Sequence, residues 1–114
     1  MRWFLLLGGL LLAACSKGPQ ADLQYIKQAR SLGSEWALVN EQANTGHLTH
    51  AYVRSMHRWL RQQLETSAAS LTQPGSRYGR EIHALLAGAD DAPPDQFRAH
   101  VAVLKRIEDG LESS

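Results

Sequence analysis

Apolar residues recur at steps of three and four along most of this chain, and no stretch alternates between apolar and polar residues at every second position. Steps of three and four place side chains on one face of an α-helix, whereas strict alternation is the pattern of a half-buried strand. The sequence therefore predicts an all-α protein, a small antiparallel bundle of about four helices with short connections. The approximate helix ranges are 22–43, 49–72, 77–87 and 94–111.

The first predicted helix contains Gly33, which lies in phase with an apolar face that includes Ile26 and Trp36. This phase favours one continuous helix that packs closely at the glycine. The alternative is a break at this point, with Ser34 as the N-cap of a second helix, and the sequence leaves that alternative open. Asp22 has the side chain of an N-cap residue and is predicted to begin the helix.

Local signals also limit the other helices. Thr49 is a predicted N-cap, Gly88 is predicted as the left-handed residue after the third helix, and Pro94 suits the first turn of the fourth. The predicted apolar face of the second helix consists of Tyr52, Met56, Trp59, Leu60, Gln63, Leu64 and Leu71. We expect both Trp36 and Trp59 to pack in the core, and the alternative is a shared aromatic groove for a helix or a ligand.

The most apolar part of the chain is residues 3–12, which are all Trp, Phe, Leu or Gly. Arg2 precedes this run and small residues follow it, which is the arrangement of a secretory signal peptide. A helix over residues 3–14 would rise about 18 Å, well short of the roughly 30 Å hydrocarbon core of a bilayer. The run is therefore predicted to be a signal peptide rather than a permanent membrane span.

The apolar run ends in Leu12-Ala13-Ala14-Cys15, which includes the only cysteine of the chain. This order closely resembles the lipobox of bacterial lipoproteins. The resemblance implies that Cys15 receives a diacylglyceryl group, that the signal is cut between Ala14 and Cys15, and that the new amine is acylated. Two or three acyl chains anchor a protein firmly, at about 0.8 kcal/mol for each buried CH₂ group. The alternative is an ordinary secretory signal with an incidental cysteine near its cleavage site.

The lipobox divides the chain into a signal peptide of residues 1–14, a lipidated tether of residues 15–20 and a single helical domain of residues 21–114. Ser16 stands where enterobacterial lipoproteins kept in the inner membrane have Asp, so the resemblance favours the outer membrane. Without Arg2, the Lys and Arg residues, 12 in the whole chain, balance the 11 Asp and Glu residues. A nucleic-acid-binding domain carries a basic excess, and no nucleic-acid partner is predicted.

The chain contains none of the common motifs of an enzyme active site. It has no Gly-rich phosphate loop, no His-Glu-x-x-His and no Gly-x-Ser-x-Gly. The densest acidic group, Asp90, Asp91 and Asp95, surrounds the start of the fourth helix, where acidic residues complement the helix dipole. The sequence therefore predicts a protein that is not an enzyme and that has no cofactor besides the lipid on Cys15.

A basic stripe on the second helix is the main candidate site. On a helix, His50, Arg54, His57 and Arg61 fall within about 60° of one another, because each residue turns about 100°. Arg58 lies beside them. One interpretation is a solvated helix surface. Another is a docking surface for an anionic lipid or for an acidic patch on an envelope protein.

The same segment offers a third interpretation, a metal site. His47, His50 and His57 could supply imidazole ligands to zinc or copper. The positive charges of Arg54 and Arg61 in the same stripe oppose a cation. We therefore predict that the stripe binds no metal.

Together these features predict a membrane-anchored bacterial envelope lipoprotein that serves as a non-enzymatic interaction or accessory module. Its predicted partners are the membrane lipid that holds Cys15 and an envelope protein or anionic lipid. The alternative is a periplasmic ligand-binding or metal-binding protein that uses the His/Arg face of the second helix.

Overall fold

Four α-helices form the domain in a computed structural model that describes residues 18–114. They are α1 (Pro19–Asn44), α2 (His50–Ala69), α3 (Arg77–Ala87) and α4 (Pro94–Glu112). Residues 18–114 contain no β-strand, and the prediction of an all-α bundle of four helices is confirmed. The predicted signal peptide, its cleavage position and Cys15 lie outside the described residues.

α1 is the central element, because it packs against each of the other three helices. α3 bridges α2 and α4, which do not pack on each other within residues 18–114. The largest fully buried apolar side chains are Ile26, Trp36, Leu60, Leu64, Ile82, Leu85 and Leu104. Burial of each aliphatic side chain of this size stabilises the fold by roughly 1.5–3 kcal/mol, so the apolar face of each helix determines how it packs.

α1 continues without a break through Gly33, as the favoured alternative predicts. A Cβ atom at this position would lie 2.8 Å from Cγ2 of Val101 and 3.0 Å from Cδ1 of Leu85. Gly33 therefore permits a close approach of α3 and α4 to α1 that a larger residue would prevent. Ser34 is an exposed residue inside the helix rather than an N-cap.

The prediction that Asp22 caps α1 is wrong. The helix begins one turn earlier, after Gly18, whose φ of 87° lies in the left-handed region. Asp22 is fully buried and accepts hydrogen bonds from the connection between α2 and α3. The backbone N–H of Thr72 donates to its Oδ1 at 2.8 Å, and the Tyr78 hydroxyl donates to its Oδ2 at 2.5 Å. α2 ends at Ala69, before its predicted limit, and Thr72 bonds to Asp22 outside the helix.

Two of the other predicted helix boundaries agree with the structure, and one differs in its backbone conformation. Thr49 caps α2, because its side chain accepts a hydrogen bond from the backbone N–H of Tyr52 at 3.2 Å. Pro94 begins α4 as predicted. Gly88 ends α3, but its φ is −73°, so the prediction of a left-handed residue there is wrong. Its N–H bonds instead to the carbonyl oxygen of Leu85 at 3.4 Å.

α1 includes Pro19 and Gln20, which the sequence assigns to the tether. The chain from Cys15 to Pro19 spans at most about 14 Å when fully extended. Among the helices of residues 18–114, none combines the length and the apolar content that a membrane crossing requires.

Candidate functional site

The predicted His/Arg stripe of α2 does not form one exposed surface. His50, Arg54 and Arg58 are exposed to solvent. His57 is only 7% exposed, and the guanidinium of Arg61 is bonded to the connection between α3 and α4. The interpretations of the stripe as one solvated surface or as one docking face therefore do not hold for His57, which is buried, or for Arg61, which is engaged within the domain.

His57 is held inside the domain by Asn40 of α1. Nε2 of His57 lies 2.7 Å from Oδ1 of Asn40, and the Asn40 amide nitrogen donates to the carbonyl oxygens of Asp90 and Ala92, each at 2.9 Å. These two bonds fix the amide, so its Oδ1 accepts and Nε2 of His57 carries the proton. Burial lowers the pKa of His57, and the imidazole is therefore neutral near pH 7.

Arg61 ties the α3–α4 connection to α1 and α2. Its guanidinium lies over the Trp36 ring, 5.1 Å from the centroid, which is within cation–π range. Nε and Nη2 donate to Oδ1 of Asp90 at 3.0 and 2.6 Å. Nη1 donates to the carbonyl oxygen of Leu86 at 2.9 Å, and Nη2 to that of Gly88 at 3.2 Å. Four of the five N–H donors of Arg61 are thus used within the domain.

Trp36 joins these contacts into one cluster, and the prediction that it packs in the core is confirmed. Its ring stacks on Phe97 with centroids 5.1 Å apart, and its Nε1 donates to the carbonyl oxygen of Asp90 at 2.8 Å. The Trp36 cluster comprises Trp36, Asn40, His57, Arg61, Asp90 and Phe97. Within residues 18–114, every buried side-chain nitrogen and oxygen has a hydrogen-bond partner.

The three histidines considered as metal ligands are not brought together. Nδ1 of His47 lies 2.6 Å from the hydroxyl of Thr45, His50 is exposed, and Nε2 of His57 bonds to Asn40. In the described part of the chain, no group of three metal-ligating side chains includes any of these histidines.

One acidic group, Glu108, Asp109 and Glu112, has carboxylates close enough to share a cation. Glu108 is 2% exposed and accepts hydrogen bonds from Arg30 at 2.9 Å and Lys105 at 3.0 Å, and Lys105 also pairs with Asp109. Burial alone would raise the pKa of Glu108, but the two cations outweigh it and hold that pKa below its ordinary value. The group is therefore a salt-bridge network between α1 and α4.

The prediction that Trp59 packs in the core is wrong. Trp59 is 46% exposed and Tyr52 is 49% exposed, whereas Leu60 and Leu64 are fully buried. The buried face of α2 is thus turned about 60° around the helix axis from the predicted one. This rotation brings His57 inside and leaves both aromatic rings at the surface.

The exposed aromatic residues border a groove between α1 and α2. We call the surface that lines its two adjoining depressions the α1–α2 groove. Its residues are Glu35, Leu38, Val39, Gln42, Leu48, Tyr52, Ser55, Met56 and Trp59. Leu38 on the α1 wall is 53% exposed, so both walls present apolar surface to solvent. A separate depression between α1 and α2 is lined by Gln28, Ser31, Leu32 and Gln63.

Glu35 is a charged side chain within this apolar surface. It lines both depressions of the α1–α2 groove, and no other charged residue of the described part of the chain lines them. Within residues 18–114, no ion pair joins Glu35 to a basic side chain. Exposed apolar residues around an unpaired carboxylate make this groove the strongest candidate for a binding surface.

A scan of the chain against protein-family models found no match. Searches of curated proteins and of solved structures also found no match.

Proposed function

We propose that this chain is a bacterial envelope lipoprotein, anchored through acyl chains on Cys15, whose helical domain is a non-enzymatic interaction module. The observation that carries this proposal is the order Leu12-Ala13-Ala14-Cys15 at the end of an apolar run. Only a thiol offers a thioether site, and small residues before it allow a peptidase to approach the backbone. Ser16 favours the outer membrane over the inner one.

The short chain between Cys15 and α1 supports this function. With at most about 14 Å from Cys15 to Pro19, a lipidated cysteine would hold the domain next to the membrane surface. The partners within reach of such a domain are other components of the envelope. The α1–α2 groove, with its exposed apolar walls, is the surface that we assign to them.

The buried ionisable groups favour an interaction module over an enzyme. Buried His and carboxylate side chains are natural candidates for acid–base chemistry, yet His57, Asp22 and Glu108 each bond to residues of another element. Burial would raise the pKa of Asp22, but the hydrogen bonds from Tyr78 and Thr72 together outweigh it and lower that pKa. Asp22 is thus a permanent acceptor at neutral pH, and these groups hold helices and connections in place.

The alternative function, a periplasmic ligand-binding or metal-binding protein, depends on the His/Arg face of α2. Two residues of that face, His57 and Arg61, are engaged in the Trp36 cluster. The interaction module is therefore the better-supported function.

Metabolic labelling with a palmitate analogue tests the proposed anchor. We expect the wild-type chain to be labelled and to fractionate with membranes, and the Cys15→Ser variant to lose the label. A Ser16→Asp variant is the matched control, because it keeps the thiol and should keep the label while it shifts toward the inner membrane. Undiminished labelling of Cys15→Ser would contradict the proposal.

A further inference from the structure

The α1–α2 groove has the pattern of a seat for a helix. Tyr52, Met56 and Trp59 follow one another at steps of four and three, so they form a ridge along α2, and Leu38 stands on the opposite wall. An amphipathic helix bound in a groove contributes side chains at the same i, i+3, i+4 and i+7 spacing. Two shallow depressions lie between these walls, and Glu35, Tyr52 and Met56 line both of them.

The negative charge of Glu35 indicates that the molecule bound in the groove carries a positive charge. A carboxylate that becomes covered loses its hydration, and this costs free energy unless a cation replaces the water. We propose that the α1–α2 groove binds an amphipathic helix of another envelope protein, and that a Lys or Arg of that helix pairs with Glu35. This inference rests on the proposed function, because the lipid anchor determines which proteins are within reach.

The same carboxylate disfavours two other occupants, a bilayer and a second copy of this chain. Anionic lipid headgroups repel Glu35, and hydrocarbon would bury it without a partner. In a symmetric dimer joined groove to groove, the same patch of both copies meets, so two Glu35 carboxylates would share one interface. A basic helix avoids both costs.

Photocrosslinking in living cells tests the occupant with the full-length chain. We place p-benzoylphenylalanine at position 59, and in a second chain at Ser55, which also lines the groove. The expected adduct joins this chain to a different protein, at a peptide that forms an amphipathic helix with a Lys or Arg beside its apolar face. The same photoreactive residue at Ala84, exposed on α3, is the control and should give no such adduct.

The charge at position 35 supplies the second arm of the experiment. Glu35→Lys should lower the adduct yield about tenfold or more, because like charges across an interface are strongly unfavourable. Glu35→Gln should lower it by about threefold. Exchange of the partner's basic residue for Glu should restore the yield with Glu35→Lys. Because Glu35 is exposed, neither variant should change the melting temperature, which excludes misfolding as the cause.

The outcomes separate the occupants from one another. An adduct with lipid, an adduct with a second copy, or no adduct from either position 55 or 59 would overturn the inference, as would a yield that does not depend on the charge at position 35. Palmitate labelling of Cys15 in the same cells separates this inference from the proposed function. A labelled chain without the adduct loses only the docking site, whereas an unlabelled chain contradicts the anchor itself.

Discussion

The two flanks of α2 differ in whether their side chains bond within the domain or remain exposed to solvent. The flank beside the α3–α4 connection carries His57 and Arg61, whose polar groups bond within the domain. The flank beside α1 carries Tyr52 and Trp59, whose aromatic rings stay about half exposed. Polar groups can be buried where each finds a partner, and the Trp36 cluster provides those partners. The first flank thus serves stability, and we assign the second to recognition.

The largest expected difference is that between two tryptophans, Trp36 of α1, which lies in the Trp36 cluster, and Trp59 on the exposed flank of α2. Trp36→Ala removes a fully buried ring with its stacking and its hydrogen bond to Asp90, and should lower the free energy of unfolding by about 3–5 kcal/mol. Trp59→Ala removes a ring that is only about half buried and should cost clearly less, about 1–2 kcal/mol. Urea unfolding of the two variants, followed by circular dichroism, measures both values. Similar losses would show that Trp59 also packs in the core.

The next largest difference is that between two histidines of α2, the buried His57 and the exposed His50. His57→Leu leaves Oδ1 of Asn40 buried without its donor, and should cost about 1–3 kcal/mol of unfolding free energy. His50→Leu, at an exposed position of the same helix, is the matched control and should be nearly neutral. If the two substitutions had equal effects in the same urea experiment, the bond between His57 and Asn40 would not contribute to stability.

The fold could be predicted from the sequence because its signals are local. Apolar steps of three and four mark the helices, and residues such as Thr49 and Pro94 mark their beginnings. The motif that ends at Cys15 is also a local signal, since its residues are consecutive. Asp22 shows the limit of such signals, because its partners are distant in sequence, Thr72 of the α2–α3 connection by 50 residues and Tyr78 of α3 by 56.

The orientation of α2 could not be predicted for the same reason. Periodicity counts Tyr52 and Trp59 as apolar and places them inside, whereas it counts His57 and Arg61 as polar and places them outside. The partners that draw the polar pair inward are distant in sequence, Asn40 by 17 residues and Asp90 by 29. The α1–α2 groove follows from that rotation. The sequence indicated Tyr52, Met56 and Trp59 as apolar residues of α2, but it indicated neither their exposure nor the part of Glu35.

A smaller effect concerns the pH dependence of stability. Burial lowers the pKa of His57 below its ordinary value of 6.5, so between its folded pKa and 6.5 the unfolded chain binds a proton that the folded chain does not. The free energy of unfolding should therefore fall as the pH drops below about 6.5. His57→Gln should reduce this loss, and His50→Gln should not. Melting temperatures between about pH 7 and pH 5 provide the comparison, and identical curves for wild type and His57→Gln would contradict it.

The smallest expected effect concerns the exposed remainder of the basic stripe. Arg54→Glu combined with Arg58→Glu should leave the crosslinking yield from position 59 within about twofold of wild type, because neither residue lines the groove and exposed charges interact weakly. A loss of tenfold would show that the basic surface takes part in docking. The exposed basic residues and the α1–α2 groove would then belong to a single interface.

Acrylamide quenching of tryptophan fluorescence tests most directly whether the Trp36 cluster is buried while the α1–α2 groove is open to solvent. The proposed mature chain, without residues 1–14, contains two tryptophans, Trp36 and Trp59, so Trp59→Phe and Trp36→Phe each leave a single emitter. We predict that acrylamide quenches Trp59 several times more strongly than Trp36, because one ring is half exposed and the other is fully buried. Equal quenching of the two, or stronger quenching of Trp36, would contradict the assignment of the aromatic flank of α2 to recognition.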